Sequence, residues 1–233
     1  MTFASPKFLL LHPYQMKNTI ALLLLIFGFQ TMAQQAASPE KAKKILDEVS
    51  AKTKSYTTIQ ASFTYSLENK QSKVNEKQTG TLILKGQKFR LTLANQEVIS
   101  DGKTVWVYMK ESNEVQIKTV EDFNAESDIN PTKIFTVYEQ GFKFDYVKEA
   151  TVNGKNLATV DLLPLDPKKK NYSRVRLEID KVSKQIVSTK SFGKDGNTYT
   201  LTVSKFSTNQ VFDDKQFTFD KSKYPGVEVV DLR

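Results

Sequence analysis

Residues 97–111 read EVISDGKTVWVYMKE, and the fold turns on how this stretch is read. Asp101-Gly102 is a hairpin signal, because a tight two-residue turn needs positive φ at both central positions. The arms do not alternate as a half-wet hairpin should. Val105-Trp106-Val107-Tyr108-Met109 is apolar at every position, so both sides avoid water. With a two-residue turn, Val98 faces Val105 and Glu97 faces Trp106, and cross-strand partners share a face. One face then carries Val98, Val105, Val107 and Met109, an aliphatic core surface. The other carries Ile99, Trp106 and Tyr108 beside Thr104 and Glu97. Large aromatics with polar handles suit a place dry at one end and wet at the other. That second face is either satellite core under a loop or helix, or a rim for an apolar ligand or partner. Trp106, Tyr108 and nearby Arg90 are the candidate rim or docking residues.

The flanking sequence extends the sheet in both directions. Phe63, Tyr65 and Leu67 alternate with polar residues, as do Leu82 and Leu84, and Phe89, Leu91 and Leu93. Such strands are half buried with one wet face. Residues 71–79 and 85–88 read as polar connections, and Val115-Gln116-Ile117 as a short strand. Further strands are expected near 142–149, 156–163, 174–180, 185–192, 197–206 and 216–219, with turns at Asn153-Gly154 and Asp195-Gly196. Ser38-Pro39-Glu40 opens a helix with a capping serine, a first-turn proline and an acid at the positive end. Its Ala42, Ile45, Leu46 and Val49 form one apolar stripe. Glu121 to Asp128 is an acidic loop or fragmentary helix. Residues 131–139 read as a short helix started by Pro131 and ended by Gly141. The expectation is an α+β, mainly β fold: a single curved antiparallel sheet, an incomplete β-barrel, with the 39–54 and 131–139 helices on its concave side. Two helices are too few to cover so many strands, which leaves apolar concave surface for a guest.

The front of the chain reads as a targeting segment. Met16-Lys17 is a plausible start, followed by Ile20 to Phe27 as a short apolar core and Thr31-Met32-Ala33 as a small-residue cut site. Residues 1–15 read as an upstream extension and 34–233 as one domain. From residue 34 the balance is 32 basic against 26 acidic residues, the full chain's 34 less Lys7 and Lys17. This excess is spread out, and no basic run interleaves with an aromatic motif, which argues against nucleic acid. Lys168-Lys169-Lys170 is either a solvated loop or a docking patch for an acidic partner or a lipid surface.

The residues present also bound the chemistry. The chain has no cysteine, and its single histidine, His12, precedes the targeting segment. Zinc sites, thiol chemistry and histidine-based triads therefore lose their usual ligands and bases. There is no G-x-S-x-G and no phosphate loop. The expectation is a binding protein, not an enzyme, with no metal and no cofactor.

The segments IQASFTYSL (59–67), GTLILKGQKFRL (80–91), VISDGKTVWVY (98–108), INPTKIF (129–135) and FTFDKSKYPGVEVVD (217–231) occur in order. In that order they resemble LolA-type outer-membrane lipoprotein carriers. The resemblance implies a periplasmic carrier whose helices lie as a lid over an apolar cavity. Its cargo would be acylated lipoproteins, taken from an inner-membrane ABC transporter and passed to an outer-membrane acceptor. Relatives of this type carry Arg-Pro where this chain has Gly86-Gln87, and the arginine helps hold their lid shut. A lipid- or lipoprotein-sensing periplasmic regulatory domain of the same fold is the alternative. A monomer is expected. The cavity lining expected from strand alternation is Phe63, Tyr65, Leu67, Leu82, Leu84, Phe89, Leu91, Leu93, Val105 and Val107. Ile45, Val49, Ile134 and Phe135 are expected to press on it from the lid.

Overall fold

Ser38 begins the first helix as the sequence requires: its Oγ accepts a hydrogen bond from the Lys41 N–H at 3.2 Å. Pro39 follows, Glu40 sits in the first turn, and Lys52 and Lys54 close the last turn of α1 (Pro39–Lys54). The computed structural model describes residues 38–126, 131–133 and 135–233, within the unit Gln35–Arg233. The expected targeting segment, the expected cut after Ala33 and the expected lid residue Ile134 lie outside the described residues.

The strands are β1 (Ile59–Asn69), β2 (Val74–Lys85), β3 (Lys88–Thr92), β4 (Gln96–Ser100), β5 (Thr104–Met109) and β6 (Glu114–Thr119), then β7 (Phe142–Val152), β8 (Lys155–Pro164), β9 (Tyr172–Asp180), β10 (Gln185–Gly193), β11 (Thr198–Thr208) and β12 (Glu228–Asp231). They form one curved 12-stranded sheet in the order β12-β6-β5-β4-β3-β2-β1-β11-β10-β9-β8-β7. Two meanders, β1–β6 and β7–β11, are joined where β1 pairs with β11. The outermost strands, β12 and β7, do not pair with each other, so the barrel stays open. All pairings are antiparallel except that of β12 with β6, which is parallel.

The opening hairpin keeps its faces but not its turn. Ser100 pairs with Val105, Ile99 with Trp106 and Val98 with Val107, two residues away from the two-residue-turn register. The Asp101 carboxylate accepts from the N–H groups of Lys103 (2.9 Å) and Thr104 (2.8 Å), which draws four residues into the connection. Only Gly102 takes positive φ there. An even slip leaves every side chain on its own side, so the face assignment survives the wrong turn.

Three further expectations are corrected. The polar stretch 71–79 is a turn only to Lys73, because β2 starts at Val74 and pairs along the whole of β1. Residues 216–219 are not a strand; a 3-10 turn occupies Asp214–Phe217, capped by Asp213. The 131–139 helix is two 3-10 turns, Pro131–Lys133 and Val137–Glu139, separated by Thr136 at φ −133°. A continuous helix would put Phe135 and Tyr138 on one face, whereas here they serve two different apolar clusters.

Those clusters share one face of the sheet. Tyr146, Val160, Leu177, Thr189, Leu201 and Tyr65 are successive cross-strand partners from β7 to β1. They run from the cluster under α1 to the cluster on β1–β5. The β6–β7 connection (120–141) must pass from one side of the sheet to the other. It contains α2 (Val120–Glu126) and both 3-10 turns, and its Phe123 and Phe135 pack on the β1–β5 cluster while Tyr138 packs under α1. The segment therefore crosses the concave face.

Candidate functional site

The candidate site is this concave face and its cover. On the β1–β5 half, Phe63, Leu82, Leu84, Phe89 and Val105 are buried, and Tyr65, Leu91, Leu93 and Val107 pack against them half-buried. Of the ten residues assigned to the lining by alternation, only Leu67 is not part of this cluster. Ile59, Ala61, Val98, Leu201, Val203 and Phe206 complete it. Alternation places Val98 with Val105 and Val107, Ile59 and Ala61 with Phe63, and Leu201 with Val203; Phe206 is displaced from the parity of Leu201 and Val203 by the bulge opposite Ser62 and Phe63. Gly80 makes room at its centre: a Cβ there would lie 2.6 Å from Phe63 Cζ and 2.8 Å from Leu93 Cδ2. The Phe63 ring thus rests directly on backbone.

The cover is aromatic. Phe123 of α2 tilts over Phe89 with ring centroids 6.2 Å apart. Phe135 meets Phe206 at 5.5 Å, and Phe206 meets Tyr56 at 6.1 Å, both edge-on. The α2 contribution went unseen in the sequence, where Val120 and Phe123 are a pair three residues apart in an acidic stretch. Between α2 and β3 remains a cavity of about 210 Å³ lined by Phe89, Ser100, Val120, Phe123 and Thr132 among others. Pockets for drug-sized ligands run from roughly 300 to 1,000 Å³. On the β1–β5 half, Val120, Phe123 and Phe135 pack on the apolar face.

Helix α1 lies on the concave face, as expected, but over its β7–β10 half. Its Ala42, Leu46 and Val49, with Ile45 beside them, pack on the β7–β10 half, against Tyr146, Val160 and Leu177. Ile45 and Val49 therefore do not press on the Phe63–Phe89 lining. Polar ties fix the helix there. Glu149 on β7 takes Lys41 of α1 at 3.0 Å and Lys181 at 2.8 Å, and Lys184 pairs with Glu48 at 3.2 Å. Lys181, then Lys41 and Tyr146, hold the Glu149 carboxyl down at about 2. Glu139, in the crossing segment, accepts from Ser50 and pairs with Lys54 at 2.9 Å. Ser50 first and Lys54 second hold its carboxyl below the ordinary value. Crossing segment and helix are thus latched together. Between the two covers lies a half-buried strip containing Tyr65, Leu67, Tyr199 and Leu201, with the Tyr65 and Tyr199 rings stacked at 6.3 Å.

The candidate rim residues are on the opposite face. The C-terminal segment folds over it: Phe217 and Val227 are buried there, as are Ile99 and Val115. Tyr108 lies 4.5 Å from Tyr224 and 6.0 Å from Phe219, ring to ring. Arg90 donates to the Gln216 carbonyl at 2.8 Å and to Glu97 at 3.1 Å, and the Tyr224 hydroxyl donates to the same carboxylate at 3.0 Å. Trp106 is half-buried between its partners Ile99 and Ile117. Arg90 and Tyr108 are thus engaged within the chain on the convex side, and Arg90 is turned away from the lid.

Among the described residues no group of acidic or histidine side chains could hold a metal ion, and no helix is long and apolar enough to cross a membrane. The family model described as "Outer membrane lipoprotein carrier protein LolA" matches residues 54–220. An outer-membrane lipoprotein carrier protein from Hahella chejuensis is 27% identical over 202 residues, covering 85% of this chain and 93% of its own. One of the same description from Alkalilimnicola ehrlichii is 27% identical over 107 residues, 44% of this chain and 47% of its own. An uncharacterized conserved protein from Thermus thermophilus has a similar fold, with a TM-score of 0.54 and 14% identity, over 82% of this chain and 99% of that one.

Proposed function

The chain belongs to the family of the outer-membrane lipoprotein carrier protein LolA, and on that footing we propose that it binds the acyl chains of lipoproteins on its concave face. In this reading it works as a monomer in the periplasm, loads from an inner-membrane ABC transporter and delivers to an outer-membrane acceptor. It does so by binding alone, without a chemical step. The observation that carries the reading is the aromatic cover. Phe123 and Phe135 occupy the apolar face that cargo needs, so closure competes with lipid for one surface. Each buried CH₂ is worth about 0.8 kcal/mol, so a long acyl chain in water is disfavoured by about 10 kcal/mol or more. A carrier must offset that cost and still release. A face that its own side chains can refill meets both demands. In this reading the cover is held by the Phe135–Phe206 contact and by the latch of Glu139 with Ser50 and Lys54.

The test is transfer of a labelled lipoprotein from inner-membrane vesicles into a soluble complex. Leu91→Glu and Leu201→Glu put a carboxylate on the concave face, where an unpaired charge is costly. Both should lose the complex. Thr202→Glu, one residue along β11 on the exposed side, should behave as wild type. Arg90→Glu is no neutral control, since it sets two carboxylates face to face with Glu97. Complex formation by folded Leu91→Glu and Leu201→Glu at the wild-type level would remove this face from the binding site.

A further inference from the structure

Three turns meet at one end of the sheet: 69–73, 165–171 and 193–197. The Asn69 side-chain amide donates to Asn197 at 2.7 Å, and the Lys194 N–H donates to the Asn171 carbonyl at 2.8 Å. Together they carry six lysines, Lys70, Lys73, Lys168, Lys169, Lys170 and Lys194, against two acids, Asp166 and Asp195. Lys169 pairs with Asp166 at 3.4 Å, both side chains being largely exposed, and Lys194 donates to the Pro167 carbonyl. The other four have no ion-pair partner among the described residues. Beside Lys168–Lys170, at the β8 edge of this row of turns, Leu165 is 59% exposed. Its backbone is held: the Leu165 N–H donates to the Gly141 carbonyl at 2.9 Å, and Pro164 and Pro167 stiffen the loop on either side.

The opposite end shows that this is not the general surface. There Val182 is also exposed, at 82%, but the lysines flanking it are paired, Lys181 with Glu149 and Lys184 with Glu48.

We propose that the Leu165 end of the sheet docks on an anionic phospholipid surface, with the lysines at the headgroups and Leu165 inserted among them. Unpaired lysines near an anionic bilayer each add to the attraction, and an apolar side chain beside them adds burial at the interface. A folded protein partner is a poorer match. Protein interfaces are depleted in lysine and enriched in arginine and aromatics, and these three turns contain no arginine and no aromatic residue. Docking in this way stands the strands on the bilayer, and it is independent of cargo.

The test is flotation with vesicles of phosphatidylcholine alone and of phosphatidylcholine mixed with phosphatidylglycerol. All variants keep residues 1–37, so any affinity of that stretch is common to them. The chain should bind the mixed vesicles preferentially, and added salt should weaken binding. Joint substitution Lys168→Gln, Lys169→Gln and Lys170→Gln should weaken it roughly tenfold or more. Leu165→Ser should weaken what survives at high salt. Lys148→Gln with Lys155→Gln, exposed on the β7–β8 hairpin, should change nothing. Equal binding by the triple variant and wild type overturns the proposal, as does indifference to vesicle charge. So does a triple variant that binds vesicles normally yet fails in lipoprotein transfer, the result an acidic protein partner would give.

Discussion

Phe135 of the crossing segment stands edge-on to Phe206 of β11, ring centroids 5.5 Å apart and planes at 88°. This contact ties the β6–β7 connection to the middle of the sheet. Phe135 is 6% exposed, and truncation of such a residue costs about 3–5 kcal/mol when the site cannot collapse. Phe135→Ala should lower the melting temperature. It should also increase uptake of a fluorescent fatty-acyl probe, because the cover then competes less. Reduced stability with no gain in probe binding would mean that Phe135 is core and not lid.

Gly80 is a packing position with no tolerance for a methyl group. Its added Cβ would meet the Phe63 ring at 2.6 Å. Gly80→Ala should destabilise the fold by about 1–3 kcal/mol, the range for overpacking, as read by urea unfolding. Adding Phe63→Leu should restore part of that loss, and a double variant no better than Gly80→Ala would place the strain elsewhere.

Acid should loosen α1. Glu149 is held at about 2, below its ordinary 4.5, first by Lys181 and then by Lys41 and Tyr146. A depressed folded-state value means that the contribution to stability is complete above about 4.5 and is lost as pH falls through about 2. Glu139 is depressed in the same sense, first by Ser50 and then by Lys54. Thermal melts of wild type should therefore fall across that window. Glu149→Gln should show a shallower fall, and an unchanged slope would deny the Lys41–Glu149–Lys181 tie its role.

Tyr138 is 2% exposed, and among the described residues its hydroxyl has no hydrogen-bond partner of good geometry, the nearest polar neighbour being Ser50. Burial foremost, then the charges of Glu139 and Asp47, raises its ionisation far above the ordinary value. An unpartnered buried hydroxyl costs about 1–3 kcal/mol. Tyr138→Phe should therefore leave stability unchanged or raise it, whereas Tyr138→Ala should lower it strongly. A clear loss on Tyr138→Phe in thermal melts would reveal a partner for the hydroxyl.

The shared face of the apolar strand residues was legible because a strand has a period of two. Phe63, Leu82, Phe89, Leu91 and Val105 could be put on one side without knowing which strands pair. The hairpin makes the point sharply: its register was two residues off, yet Val98, Val105 and Val107 still fell together. Helix α1 was equally local, since Ser38, Pro39 and the apolar stripe need no distant partner.

What the sequence could not specify were relations between distant segments. That β1 pairs with β11 puts the two chain-consecutive meanders side by side and sends the 120–141 connection across the concave face. That crossing, not any helix propensity, makes Phe123 and Phe135 the cover and leaves α1 to the other half. The convex face was open to two readings from its composition, and only the return of Phe217, Phe219 and Tyr224 over Arg90, Glu97 and Tyr108 decided between them. Alternation assigns a side chain to a face. What then covers that face depends on chain far away in sequence, and long-range packing carries that information where local periodicity does not.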